Sequence, residues 1–582
     1  MKKLIFSLSL LLGFVTLSLS QTNISVSSQE MENVLKGNYD PKDYKIPFAE
    51  NSKANIIQGI EARISADTIK KFIEELNQFR TRHSASDTLS TESGIGAARR
   101  WAYSRLMEIS TRRGGGWTQR KSLVAYLDFD VDICGVTKHR NVLAVVPGTR
   151  DSMNDCILIE AHIDSRCESR CDTACVAKGI EDNASGVALV MEMYRLVAQL
   201  SLERTVVFML TTGEEQGLHG GRAFAKYAKQ EGIEIRAVQN NDVIGGIICG
   251  KTASPPGCPG EGLIDSTQVR IFSAGAFNSA NKQYARFAKL QYEEELKPAA
   301  KVPMQITIMS AEDRTGRGGD HIPFREEGFT AVRFTSAHEH GNGHIGTEYT
   351  DRQHTEDDIL GEDTNSDGKI DQYFVDFNYL ARNTQINALA ACMAAIGPPT
   401  PDFTLTRKYG TILQVRIDDP NRYLHYRIAL HTSGHDWDSI ITLKGGRDLD
   451  ITVEPNKFYF VSVANVDSEG VESVFTGEKN VRTNSTNETP SKSPVVLLDN
   501  RPNPFDFATT IVFELENVNP NDQAHIEVMD LEGKLVKKLD LELKSGLNEV
   551  LYKHGYGVVG HFTYTLFING KALASKTMIF AN

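Results

Sequence analysis

Two histidines and five carboxylates are the residues of this chain whose types and spacing can do chemistry. His162 and Asp164 stand in AHID, Asp182 in IEDNASG, Glu214 and Glu215 in TTGEEQGLHGG, Asp242 in NNDVIGG and His354 in RQHTEDD. Singly, each has a plain structural reading. An acid before Asn-Ala-Ser-Gly is a helix cap, and an adjacent Glu pair in a chain with 75 acidic residues is a solvated pair. Together they form a mixed set of imidazole nitrogen and carboxylate oxygen without cysteine, which suits a borderline metal such as zinc in an open catalytic site. Two ions about 4 Å apart need one shared acid, and Asp182 is the natural bridge. Neighbouring loop residues can point differently, so Glu215 can bind metal while Glu214 takes a proton from the attacking water. Metals there lower the pKa of that water and polarise a carbonyl, which makes amide hydrolysis feasible.

The elements around these residues decide whether they can meet. CILIEAHID, RTVVFMLTTG and IRAVQNNDVIGG read as unbroken apolar strands, separated by the helical patterns SGVALVMEMYRLVAQL and GLHGGRAFAKYAKQ. Such alternation predicts an α/β fold with a mixed, mainly parallel sheet covered by helices on both faces. In sheets of this kind ligands gather outside the carboxyl ends of the strands, which is where His162, the Glu pair and Asp242 fall. Asp182 comes from a loop that opens a helix, where the positive end of the dipole keeps a carboxylate ionised. Upstream, ADTIKKFIEELNQF and GIGAARRWAYSRLMEI repeat apolar residues at helical spacing, and SLVAYLDFDV and RNVLAVVPGT read as strands.

The stretches AHIDS, EDNASGVALVMEM, TTGEEQGLHGG, NNDVIG, GGDHIPF and HTEDD, in this order, resemble the two-zinc aminopeptidase and carboxypeptidase family that includes bacterial leucyl aminopeptidases. The resemblance covers roughly residues 65 to 398 and implies two zinc ions. His162, Asp182 and Asp242 would hold one, and Asp182, Glu215 and His354 the other. It further implies Glu214 as general base and Asp164 as the partner that orients His162. Three places depart from the family or add to it. Cys167 to Lys178 reads as an insertion beside the site. Asp320 and His321 match a family loop as structural or substrate-facing groups. His338, His340 and His344 have ligand-like spacing, but the ligand set is complete without them, and a solvated, Gly-rich lid is the simpler reading.

The remaining sequence frames this segment. Residues 1–20 read as a signal peptide: two lysines, an apolar stretch of about fifteen residues and small Ser18 and Ser20 before Gln21. Residues 21–60 show little periodicity and read as a pro-region or an ordered arm, and 61–398 as the catalytic domain. From 399 to 483 short strands, with Tyr459, Val461 and Val463 alternating, resemble a fibronectin type III module. Residues 484–494 are a polar linker. Residues 495–582 are similar to the C-terminal sorting domain of type IX secretion, which implies an export machine as partner; a carbohydrate or surface-binding module is the plainer reading. An exported chain can form disulfides: Cys249 and Cys258 flank a Pro/Gly-rich loop and can close a ring. Cys167, Cys171 and Cys175 can hold one bridge plus a partner elsewhere, and Cys392 reads as a buried thiol. Asp363, Asn365, Asp367 and Asp371 in DTNSDGKID have calcium-loop spacing, but Phe374 stands where the bidentate Glu belongs, so a solvated acidic loop competes.

A net charge of −12 without a basic stripe argues against a nucleic-acid partner, and no segment after the first twenty residues predicts stable membrane insertion. The expectation is a secreted or cell-surface zinc exopeptidase acting on peptides or proteins, most simply an aminopeptidase. A carboxypeptidase, a glutaminyl cyclase-like acyltransferase with one zinc and a metal-free binding module are the alternatives on the same fold.

Overall fold

Apolar runs with few polar interruptions pair into one nine-stranded sheet. The computed structural model describes residues 21–581 apart from 46–51, 112–121, 151–152, 250–259, 261, 275–278, 310, 314–316, 338–351, 433–435, 484–494, 506–507, 516–517, 520 and 556–558. The strands are β1 (Thr22–Val26), β2 (Leu123–Ile133), β3 (Val136–Val146), β4 (Cys156–His162), β5 (Thr205–Thr211), β6 (Ile235–Asn241), β7 (Gln268–Ser273), β8 (Gln305–Ile308) and β9 (Ala331–Ser336). Their order is β1-β2-β3-β5-β4-β6-β9-β7-β8. The centre, β5-β4-β6-β9, is parallel, while the β1, β2 and β3 flank and the β7–β9 pair are antiparallel. β4 and β5 are buried along their whole length, as strands covered on both faces must be.

Helices supply that cover. On one face pack α2 (Lys53–Arg63), α3 (Ala66–Leu76), α5 (Ser185–Val197), α7 (Ala280–Gln291) and α9 (Phe377–Ile396), around Ile60, Phe72, Leu189, Phe287 and Leu389. On the other lie α1 (Gln29–Leu35), α6 (His219–Glu231) and α8 (His321–Glu326), with Phe224, Phe324 and Met209. α4 (Gly94–Thr111) lies against β2 and β3. Ser65 and Asp376 cap α3 and α9 by accepting the N–H of Thr68 and Tyr379. The segment 21–60 is an ordered arm where described: β1 extends the sheet, and Met31, Ile56 and Ile60 are fully buried.

Two all-antiparallel β modules follow. The first pairs β12 (Asp402–Tyr409), β13 (Ile412–Asp418) and β16 (Asp448–Thr452) in one sheet. Its second sheet holds β15 (Ser439–Lys444), β14 (His425–His431), β17 (Phe458–Val466) and β18 (Lys479–Arg482). A two-residue ladder, β10 (Gly361–Glu362) with β11 (Gln372–Tyr373), precedes it. The last module repeats the three-plus-four plan with β19 (Val495–Leu497), β20 (Ala508–Leu515) and β23 (Gly546–Lys553) against β22 (Leu535–Leu541), β21 (Ala524–Met529), β24 (Gly560–Ile568) and β25 (Lys571–Phe580).

Alternation in β17 predicts one buried face, but both faces are buried. Tyr459, Val461 and Val463 fill the first module's core, while Phe458 and Phe460 meet Leu498 and Val512 of the last module. Ala464 packs beside Leu290 at the end of α7. The same seam holds Arg286 of α7, whose Nη1 lies 2.6 Å from Glu478 Oε1, the oxygen that also faces His431 Nε2 at 2.6 Å. Among the described residues no helix is long and apolar enough to cross a membrane.

Candidate metal centre

Each ligand candidate leaves the sheet at the carboxyl end of a parallel strand or from the loop that follows it. His162 is the last residue of β4, Asp242 comes directly after β6, and Glu214 and Glu215 lie just beyond β5. The turn that carries Asp182 is packed against the end of β6. A Cβ on Gly186 would stand 2.2 Å from the Asn241 carbonyl oxygen, so only glycine lets the start of α5 approach this closely. Asp182 itself is not the cap of α5, contrary to the helix-start reading. Its backbone is non-helical, and Asn183 Oδ1 accepts the Gly186 N–H at 2.9 Å instead. The Asp182 carboxylate is thereby left free of capping duty and faces both imidazoles.

His162 Nε2 lies 3.1 Å from Asp182 Oδ1 and 3.2 Å from Asp242 Oδ1. His354 Nε2 lies 3.1 Å from Asp182 Oδ2 and 3.0 Å from Glu215 Oε2. Two buried triads result, His162–Asp182–Asp242 and Asp182–Glu215–His354, each with ligand atoms within 4.8 Å of one another. Asp182 belongs to both, one oxygen to each. Glu215 Oε1 is buried without a hydrogen-bond partner, an orphaned acceptor that a cation satisfies. Nitrogen and oxygen donors at this spacing fit zinc.

The charge balance has the same bias. Burial alone raises the Asp182 carboxyl, yet His162 and His354 outweigh it and hold it well below the usual range. Burial alone lowers the His162 imidazole, but Glu214, Asp182 and Asp242 raise it well above its ordinary value. Glu214 is half-buried and lines the same pocket as Asp182, Glu215, Asp242 and His354. Burial, with Asp242 and Glu215 beside it, pushes its carboxyl well up. Cations on Asp242 and Glu215 would offset that push, and an ionised Glu214 is then placed to accept a proton.

The expected role of Asp164 needs correction. His162 Nδ1 donates to the Asp164 backbone carbonyl at 3.0 Å, whereas the Asp164 carboxylate is 3.8 Å away. The carboxylate instead accepts from Ser84 Oγ at 2.9 Å and from the N–H groups of Glu214 and Glu215 at 3.4 and 3.3 Å. Asp164 thus orients His162 through its main chain and steers the Glu pair through its side chain. Asp320 and His321 are buried and structural: Asp320 accepts from Thr211 Oγ, and His321 Nε2 donates to the Glu312 carbonyl at 3.0 Å.

Three groups escaped the sequence reading. Asp358, inside the HTEDD stretch, accepts the N–H groups of Glu181 and Asp182 at 2.8 and 3.0 Å and so fixes the turn. Arg333 joins Asp313 to Asp242 Oδ2, and Arg166 contacts Glu215 Oε2 at 2.9 Å and His354 Nδ1 at 2.8 Å. Asp358 lies within the matched HTEDD stretch and Arg166 directly follows AHIDS, whereas nothing in the sequence around Arg333 marks it. Arg166 opens the cysteine-rich loop, which two disulfides fasten: Cys167–Cys175 and Cys171–Cys134, the latter to the β2–β3 hairpin. Cys249 is disulfide-bonded, Cys258 lies outside the described residues, and Cys392 is a free, buried thiol. His338, His340 and His344 also lie outside the described residues. The Asp363–Asp371 loop is exposed and turns inward on itself: Asp363 accepts from Asp367 N and Gly368 N, Asn365 from Asp367 N, and Asp371 from Thr364.

Comparison with known proteins bears on this geometry. Residues 141–377 match the model of peptidase family M28. A probable zinc metalloprotease of Pyricularia oryzae is 29% identical over 361 residues, 59% of this chain and 67% of that protein. The LapA aminopeptidase of Legionella pneumophila is 17% identical, with a TM-score of 0.41 over 61% of this chain and 77% of that one. A glutaminyl cyclase of Porphyromonas gingivalis is 14% identical, with a TM-score of 0.38 over 56% and 97%. Both ligand triads and Glu214 fall inside the matched segment, and the chain is a zinc metallopeptidase whose residues 141–377 match peptidase family M28.

Proposed function

We propose that this protein is an exported exopeptidase that removes residues from the amino end of peptides, with two zinc ions held across Asp182. The observation that carries the proposal is the division of the Asp182 oxygens between His162 and His354, with Glu214 in the same pocket. Zinc, when bound, supplies a lowered pKa for the attacking water and polarises the scissile carbonyl. Glu214 takes the proton and returns it to the leaving amine, a role open to it because it lines the same pocket without belonging to either triad. Asp164 holds the Glu pair and His162 in register for that transfer.

A second reading, trimming at the carboxyl end, is favoured by the guanidinium groups of Arg170 and Arg317 along the pocket wall, since arginine forks suit a carboxylate. Export is supported by the residues 1–20 pattern, and passage of the outer membrane by the likeness of residues 495–582 to a sorting domain. The three-plus-four strand order supports a fibronectin type III-like module over 399–483. Calcium in the Asp363–Asp371 loop stands apart from the proposed chemistry.

Incubation with peptides blocked or free at each end, with metal analysis of the same sample, tests the proposal. Amino-end products, two zinc ions per chain and loss of activity on chelation with recovery on added zinc are expected. Carboxyl-end products establish the second reading. Cyclisation of an N-terminal glutamine with one zinc replaces both, and the metal count also reads calcium.

A further inference from the structure

A second cavity, of about 580 Å³, opens between α4 and the β2–β3 hairpin. Its lining includes Arg99, Arg100, Lys138 and Arg140, opposed by Asp128 and Asp130. Both acids are engaged. Asp128 pairs with Arg140 at 2.9 Å, and Asp130 accepts from Asn23 Nδ2 at 2.7 Å. Arg100 is spent on the carbonyls of Thr88, Leu89 and Ser90, and Arg140 also lies over the Tyr126 ring, 4.5 Å from its centroid.

Arg99 is different. It is 6% exposed, has no hydrogen-bond or ion-pair partner among the described residues, and its buried Nη1 is unsatisfied. Beside it, His139 Nδ1 is a second buried nitrogen without a partner. Burial and the neighbouring Arg140 bring the Arg99 guanidinium down to about 10, so it remains charged at neutral pH. A fixed cation with five donors, taken out of water and left unpaired, is an unfavourable element of a core. It becomes favourable once an anion sits against it. The adjacent walls offer no carboxylate that is not already paired.

We propose that this cavity is an oxyanion site, in which Arg99 forms a forked pair with a carboxylate or phosphate-type group while Lys138 and Arg140 draw the anion in at the mouth. The site is separate from the metal centre but beside it: β3 pairs with β5, and Thr212 Oγ, two residues before Glu214, donates to the Arg140 carbonyl at 2.9 Å. The same chemistry can come from a free inorganic oxyanion or from an acidic peptide.

Calorimetric titration of the full-length, zinc-loaded protein with sodium phosphate and, separately, with acetylated diglutamate decides between these sources, with ionic strength held by chloride. One probe should bind saturably at one site per chain and raise the melting temperature. Binding should be lost in Arg99→Met and weakened at least threefold in Lys138→Ala and in Arg140→Gln, with zinc content unchanged. The probe that binds identifies the source. If neither probe saturates the wild type, or if Arg99→Met binds as the wild type does, the site does not exist. Should Arg99→Met fail to fold, unchanged binding in both rim variants overturns the proposal, and weakened binding in both sustains it.

Discussion

Arg333 Nη2 lies 3.1 Å from Asp242 Oδ2, while the other oxygen of that carboxylate faces His162 Nε2 at 3.2 Å. The same guanidinium holds both oxygens of Asp313, at 2.9 and 2.8 Å, so one planar fork joins a structural acid to a metal ligand. A lysine keeps the charge but cannot span both acids. Arg333→Lys should therefore lower zinc affinity by about tenfold, the scale expected when a group that orients a ligand is lost. Competition with a chelating dye measures it, and an unchanged affinity would show that Asp242 needs no such brace.

Glu214 touches neither triad as a ligand. Glu214→Gln should keep zinc while hydrolysis falls by about a thousandfold, within the range for a lost general base. Metal analysis and peptide turnover on one preparation separate the two effects. Full turnover in this variant rejects Glu214 as the base.

Arg166 donates to His354 Nδ1, which makes that nitrogen the acceptor and leaves the hydrogen on Nε2, facing Asp182 and Glu215. Zinc at Nε2 needs the opposite tautomer, so Arg166 must release Nδ1 as metal enters. Arg166→Ala should accordingly raise zinc affinity at this triad by about tenfold and speed uptake. Weaker binding in stopped-flow metal uptake would instead make Arg166 a support for His354.

The His162 imidazole is raised well above its ordinary value, and its proton must leave before Nε2 can hold metal. Zinc affinity should therefore climb by about tenfold per pH unit from pH 6 toward the raised value. The metal-free protein should show the opposite slope. A histidine with a raised folded pKa stabilises fully below its unfolded value of about 6.5, and that contribution fades as pH rises through the folded one. Melting curves with and without zinc between pH 6 and 9 should diverge. Parallel curves would show that His162 does not titrate as stated.

The sheet and the ligands were readable because both follow from periodicity and strand ends. β5 is an apolar run between two threonines, β4 is apolar up to Glu160 and β6 turns polar after Val238, and a polar residue at the end of such a strand has one place to go. The roles of Asp358, Arg333 and Ser84 were not readable. Each residue acts across the fold, on the Asp182 turn, on Asp242 and on Asp164, and no local pattern names such a partner. Asp182 and Asn183 are both good caps by residue type, and only the close approach of Gly186 to β6 gives the role to Asn183. The second buried face of β17 was missed for a related reason: its cover comes from other modules.

Arg286 and Glu478 meet where the catalytic part and the first β module join, with His431 on the same oxygen. Cutting the chain after residue 398 would take Glu478 away from the buried Arg286 and bare the side chain of Leu290. A shortened catalytic fragment would then be prone to cling to its copies, although every metal ligand would still be present.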